Sequence, residues 1–333
     1  MPIFELGYRH WEGALTPAWK RWATITRAGV ALAFRSKVLR RLLFLAWAPL
    51  LYFGPLFFAV GYVTDPARGV RGSDWASFAR AFLGTELANR FMNDPASLRP
   101  HVWSAIFSHF FMYSQGFLTF LVLTIVAPPL ISQDVRSKAF LLYFSKPITR
   151  VEYLLGKAGT ALFCVSLVSL LPGVVLYAVS IALSPSMAVL ADTFVTLPRI
   201  LTASLVVALP GTLLVLAFSS LTSDGRYATF AWIGVWMLGE MFFRILEQVP
   251  GLQGSGWLFL PSIREASNAV IGGVFEVDQV VALADRLNAS GRSQIRAMLH
   301  SPYSPAAALV YLLGLAGLSL AVLYRRISAP MRV

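Results

Sequence analysis

The chain has 333 residues, of which 57% are hydrophobic and 13% charged, with a mean hydropathy of +0.66 and a formal net charge of +12. Soluble domains typically carry about a quarter charged residues, so this composition excludes a soluble globular protein. It fits an all-α polytopic membrane protein, since a helix satisfies its own backbone in lipid.

A helical span needs about 20 mostly apolar residues. Six segments qualify: Leu42–Val63, Trp103–Ile131, Ala158–Leu183, Ile200–Leu221, Ala228–Phe243 and Pro305–Tyr324. They define a six-span domain over 42–333, preceded by an N-terminal element over 1–41. That first element carries eight Lys/Arg and no uninterrupted apolar core, so the first span is expected to insert directly rather than follow a cleaved signal. Thr16 followed by Pro17 marks a helix start. Trp22, Ile25, Val30, Phe34 and Val38 recur at roughly helical spacing among Lys20, Arg21, Arg27, Arg35 and Lys37, and predict a basic helix lying in the interface plane.

Pro49 and Pro55 predict a bend in span one. In the outer loop over 64–102, Phe78, Phe82, Leu83, Leu87 and Phe91 predict an amphipathic helix. Span two is the most polar, with Ser108, His109, Tyr113, Ser114 and Gln115 within eight positions. Ionisable and amide side chains at membrane depth face cavities or neighbouring helices, which makes His109, Tyr113 and Gln115 the candidates for a translocation path.

A charged segment over 132–157 separates spans two and three. Asp134, Arg136 and Lys138 keep one side polar while Ala139, Leu142 and Tyr143 share the other, so a short surface helix is predicted from Asp134 to Phe144. Pro147 then stops it, because Lys146 before a proline is pushed out of the helical region. Thr149 and Glu152 have the spacing of a capping box opening span three.

Span three contains Cys164, expected to be a buried small apolar residue, and Pro172-Gly173. Span four carries Pro210-Gly211 at a similar depth, and such pairs can mark unwound helices. The turn 222–227 is short, with Asp224 and Arg226 as a possible second contact on the same side. Glu240 near the end of span five is expected to pair with Arg244 one turn on. The outer segment 246–304 is too long for a bare loop. Within it Trp257–Pro261 and Ala266–Phe275 predict re-entrant or interfacial helices, and 277–300 an amphipathic solvent-facing one.

Seventeen of the 28 Lys/Arg but five of the 16 Asp/Glu lie in 1–41, 132–157, 222–227 and 325–333, so the entire positive excess sits on one face. Such bias marks the cytoplasmic side and places both chain ends there, in a cell (inner or plasma) membrane. The pI near 10.2 then reflects topology and attraction to anionic lipid headgroups, with no nucleic-acid-binding motif beside it.

Chemistry-bearing patterns are absent. Gly156-Lys157 does not end a phosphate loop: position 151 is Val and Ala158 replaces the magnesium-binding Ser/Thr. His10, His101, His109 and His300 have no metal-site spacing. The residues therefore predict a non-catalytic chain that binds no cofactor or metal of its own.

The stretch Asp134-Val-Arg-Ser-Lys-Ala-Phe-Leu-Leu-Tyr-Phe-Ser-Lys-Pro-Ile-Thr-Arg-Val-Glu-Tyr-Leu-Leu-Gly-Lys157 resembles the type-2 ABC exporter permeases. In that family an acidic residue after span two is followed by Pro-Ile/Val-Ser/Thr-Arg and a Leu-Leu-Gly-Lys-like run, here Pro147 to Arg150 and Leu154 to Lys157. Many members have Glu at the position of Asp134 and Gly-Thr at Lys138-Ala139. The resemblance implies that the segment is a coupling helix docking on a separate cytoplasmic ATPase subunit, which binds the ATP and magnesium. The contact residues would be Asp134, Arg136, Lys138, Lys146, Pro147, Arg150, Glu152 and Lys157. It also implies a second permease protomer, identical or different, to complete the cavity. The competing expectation from the residues alone is an ATPase-independent secondary transporter or a membrane scaffold.

Overall fold

The computed structural model describes residues 17, 20–63, 77, 80, 85, 88–89, 93–140, 143, 148–184, 187–252, 255–287 and 301–328. The expected helix start at Thr16, most of the outer-loop helix around Phe78 to Phe91, the Lys146-Pro147 stop and the stretch 288–300 lie outside the described residues. Every element among the described residues is helical, and six helical stretches are long and apolar enough to cross a membrane.

Helix α1 (Arg21–Ala33) is followed by span one, built from α2 (Lys37–Leu45) and α3 (Ala48–Val63). Span two runs from Leu98 to Arg136 as α4 (Pro95–His109), a π-helical turn (Phe110–Gln115), α5 (Gly116–Val126) and α6 (Pro128–Arg136). Span three is α7 (Arg150–Ser166) and α8 (Leu170–Ala182). After the short α9 (Ala188–Thr193) come span four, α10 (Thr196–Leu221), and span five, α11 (Gly225–Glu247). The outer segment holds α12 (Ile263–Val274) and α13 (Val277–Leu287), and α14 (Pro305–Ser328) is span six.

Helices continue past the apolar runs on the basic side, reaching Lys37, Arg136 and Arg150, because charged ends can leave the hydrocarbon while the backbone stays hydrogen-bonded. Span one is broken at Ala46-Trp47, just before Pro49, whereas Pro55 sits inside a helix. The Pro-Gly pairs do not unwind their spans. Span three breaks at 167–169 instead, leaving Pro172 in the first turn of α8, where its missing N–H costs little. Pro210 stays within the continuous α10. Both glycines are close-packing points: a Cβ at Gly211 would lie 2.9 Å from Leu123 and one at Gly173 3.1 Å from Phe111 and Ile200.

Span four is the hub, touching spans two, three, five and six and α12. Within their most apolar windows spans two and four are 61% buried and span five 17%, so spans two and four form the interior and span five presents its apolar surface outward. One core gathers around Ile131, Tyr153, Val165 and Val215; the other is aromatic, built from Phe53, Phe57, Trp103, Phe107, Phe110 and Phe275. Cys164 is fully buried in the first core, as its composition predicts.

The outer segment departs from expectation in part. Trp257–Leu260 forms turns, not a helix, with Leu258 and Phe259 buried. Helices α12 and α13 meet at 70°, with Glu276 at a φ of +54° between them. Helix α13 is amphipathic as expected over its described length, burying Val277, Val280 and Val281 and exposing Asp278, Asp285 and Arg286. Arg199 of α10 holds this corner through an ion pair to Glu276 at 2.6 Å.

Candidate functional site

The charged segment between spans two and three is rooted in a small buried knot. Prolines 128 and 129 at the start of α6 disturb the backbone ladder, and Ser219 of α10 repairs it. Its Oγ accepts from the N–H of Ile131 (3.2 Å) and Ser132 (2.9 Å) and donates to the Pro128 carbonyl (2.5 Å). Two turns on, the Asp134 carboxylate accepts the Tyr153 hydroxyl at 2.6 Å and pairs with Lys157 Nζ at 2.6 Å. The two charged side chains are 14% and 11% exposed and Tyr153 is fully buried. Lys157 Nζ also stands 5.5 Å and 5.9 Å from the ring centres of Tyr153 and Tyr143, a cation over two π faces. Burial, followed by the nearby Asp134 charge, raises the Tyr143 phenol above its ordinary value.

The predicted surface helix from Asp134 to Phe144 is corrected here. Asp134 to Arg136 form the last turn of α6, and the helix ends in a C-terminal motif: Lys138 N–H to Val135 O (3.3 Å) and Ala139 N–H to Asp134 O (3.0 Å), with Lys138 at φ +53°. Helical geometry resumes at Phe140 and Tyr143. A lysine in this left-handed conformation is strained by the clash of its Cβ with the following carbonyl. Lys138→Gly is expected to stabilise the protein by about 1 kcal/mol, read as a rise in the unfolding midpoint in detergent.

The capping box forms as predicted, with Thr149 N–H to Glu152 Oε2 at 2.6 Å and Glu152 N–H to Thr149 Oγ1 at 3.2 Å. Helix α1 is packed along the first turns of span three. Thr26 Oγ1 donates to the Gly156 carbonyl at 3.1 Å, and a Cβ at Gly156 would lie 2.6 Å from Ile25. Gly156 thus permits a close backbone approach, the usual role of small residues between membrane helices. Asp224 caps α11 through Arg226 N–H (3.0 Å) and pairs with the Arg226 guanidinium (2.7 Å). The Arg226 hydrogen bonds, with a smaller contribution from the nearby Arg136 charge, hold the Asp224 carboxyl at about 2. A depressed carboxyl stabilises the fold above its ordinary value and loses that contribution as pH falls through about 2, so this cap stays intact at neutral pH.

The structure therefore joins Asp134 and Lys157 directly and brings Arg136 near Asp224. Arg136 and Lys138 are exposed, Arg150 and Glu152 partly exposed at the mouth of α7, and Lys146 and Pro147 lie outside the described residues. Sequence reasoning missed Ser219 and the acceptor role of Asp134 toward Tyr153, since neither partner is local; the tyrosine's i, i+4 spacing with Lys157 was the available signal.

The three candidates for a translocation path separate. His109 and Tyr113 pack with their rings tilted, centres 4.6 Å apart, and Tyr113 is 44% exposed on the outer surface of span two. Gln115 is fully buried on the inner side, at the end of the π-helical turn, and neither amide atom has a hydrogen-bond partner among the described residues. Thr119, Ser204 and Thr212 likewise bury unpartnered hydroxyls. Gln115→Leu is expected to raise stability by about 1 kcal/mol in the unfolding assay, because an orphaned buried amide carries its full desolvation cost.

At the outer end Glu240 pairs with Arg244 as predicted, at 3.0 Å, but also accepts from Arg264 (3.0 Å) and Ser262 (3.0 Å) of the outer segment. Glu265, deep in the same cluster, has its carboxyl raised by burial and by the Glu240 charge. Neither a family model nor a curated protein matches the sequence.

Proposed function

We propose that the chain is the membrane-spanning permease subunit of an ABC exporter, moving its substrate with energy from ATP hydrolysed by a separate cytoplasmic subunit. The observation that carries this reading is the knot of Asp134, Tyr153, Lys157 and Ser219, which fastens the ends of spans two and three, the two roots of the intervening segment, to each other and to span four. A force applied to that segment is transmitted to rigid helices rather than absorbed by a loop, as a two-state switch requires. Lys138 adds support: its left-handed backbone suits the glycine that many members of the resembled family carry there.

In this reading Arg136, Lys138, Lys146, Pro147 and Arg150 present a basic docking surface to the ATPase, with Asp224 and Arg226 flanking it. ATP and magnesium belong to the partner, and this chain is non-catalytic. Both termini lie in the cytoplasm, the outer segment 246–304 is re-entrant or interfacial, and a second protomer completes the cavity. The outward apolar faces of spans five and six fit contact with lipid and with that protomer.

The test is co-expression with the neighbouring genes, followed by purification and coupled assays. The wild type is expected to retain an ATPase. Arg136→Glu/Arg150→Glu should lower ATP-driven transport at least tenfold without changing the unfolding midpoint, since like charges across an interface oppose docking. A chain that never retains an ATPase, or a double variant with unchanged coupled transport, overturns the assignment and leaves the partner-independent transporter.

A further inference from the structure

Helix α1 has two working faces. One is packed on span three through Ile25, Thr26 and Gly29. The other, with Thr24, Ala28 and Leu32 at successive i+4 positions, opens onto a cavity of ≈ 1000 Å³. Across it stand Ile125, Pro129 and Gln133 of span two, again four apart, and Leu39 of α2 with Ile148 contributes further apolar wall. Leu32 is 55% exposed, because the cavity is open on this side. The volume is at the upper end of the roughly 300–1,000 Å³ of small-molecule sites. Arg21, Lys157 and Asp134 line the same cavity as polar groups, so its walls are amphipathic.

The surrounding charge is one-sided. From Lys20 to Arg41 the chain carries seven Lys/Arg and no Asp or Glu. Lys37, Arg40 and Arg41 of α2 are exposed together around a second recess with Phe44. A cluster of this size immediately before a span attracts anionic headgroups. From Arg21 to Ala33 the cavity wall extends about 18 Å at 1.5 Å per residue, close to half of a roughly 40 Å bilayer, the length of one lipid.

We infer that this cavity holds one anionic phospholipid, its acyl chain between α1 and the end of span two and its phosphate among the basic residues of α1 and α2. The bound lipid fills the space that otherwise separates α1 from span two, and so braces the root of the 132–157 segment. The inference rests on the basic face lying at a lipid leaflet and not on an ATPase partner, so the two readings fail separately.

The full-length protein, delipidated by detergent washing, is reconstituted into nanodiscs of equimolar phosphatidylglycerol and phosphatidylcholine, and lipid remaining after re-extraction is counted by native mass spectrometry. The wild type is expected to keep one phosphatidylglycerol per chain, in preference to phosphatidylcholine. Ala28→Trp, which fills the cavity from an exposed position, should lower retention at least tenfold with an unchanged unfolding midpoint. Arg40→Gln/Arg41→Gln should reduce the preference for phosphatidylglycerol by about tenfold or more, the scale of two cations near an anionic surface. Equal retention of both lipids, full retention by Ala28→Trp, or displacement by millimolar inorganic phosphate overturns the inference. So does a wild type that keeps no lipid, the result expected if residues 1–16 of the chain itself occupy the space.

Discussion

Asp134→Ala is expected to destabilise the protein by about 3–5 kcal/mol, the cost of leaving a buried charge without its counter-ion. Lys157 is 8% exposed as a residue and its Nζ lies 2.6 Å from the carboxylate, so the ammonium is largely desolvated where it stands. Tyr153 loses its bond to Asp134 at the same time, in a fully buried site. A solvent-exposed pair would cost only about 0–1 kcal/mol when broken, which makes the magnitude itself diagnostic. The companion variant Asp134→Leu/Lys157→Met should recover most of the loss, because apolar groups of similar volume often replace buried ion pairs without penalty. Chemical unfolding in a fixed detergent measures all three proteins. A single variant within 1 kcal/mol of wild type would show that the knot is hydrated and flexible. If the apolar double variant is stable yet lacks the coupled activity proposed above, the pair serves that activity rather than the fold.

How far this was legible beforehand follows the range of each interaction. Hydropathy located all six spans, because lipid imposes its demand on every residue of a crossing helix. The Thr149–Glu152 box was readable since both partners lie within one turn. Helix ends were placed short at Lys37 and Arg150, where charge was taken as the end of a span although long basic side chains can leave the hydrocarbon. The turn at Lys138 was hidden because Ala139 and Tyr143 keep helical spacing while the backbone between Arg136 and Phe140 leaves the helix through a left-handed residue. The π-helical turn left no periodicity signal either. It adds one residue to a turn, which sends Gln115 inward and leaves His109 and Tyr113 outside, so three residues read as one group belong to two surfaces. Ser219, Arg199 and Arg264 were invisible for a different reason: each acts on a residue more than 20 positions away, and nothing local marks the partner.

Glu240 should prove the outer counterpart of Asp134. Its two oxygens serve three donors, Arg244 and Arg264 on Oε1 and Ser262 on Oε2. Ser262 in turn caps α12 by accepting the Glu265 N–H at 3.1 Å. One carboxylate therefore connects span five to the start of the outer segment. The neighbouring Gly239 allows the approach, since a Cβ there would run into the Pro261 carbonyl. Glu240→Ala removes the shared acceptor and leaves the Arg264 guanidinium, 27% exposed, without its carboxylate; the expected loss is about 2–4 kcal/mol. Glu240→Gln keeps a hydrogen-bond acceptor but no charge and should lose roughly half as much, because bonds to charged groups are about twice as strong as neutral ones. The effect should be local in space. Hydrogen exchange in α12 is expected to quicken in both variants, while α7 at the opposite face retains its protection. Equal quickening at both ends would mean that the Glu240 cluster and the Asp134 knot unfold as one unit. Unaltered exchange in α12 would mean that its packing against α14 and α10 holds the outer segment without help from Glu240.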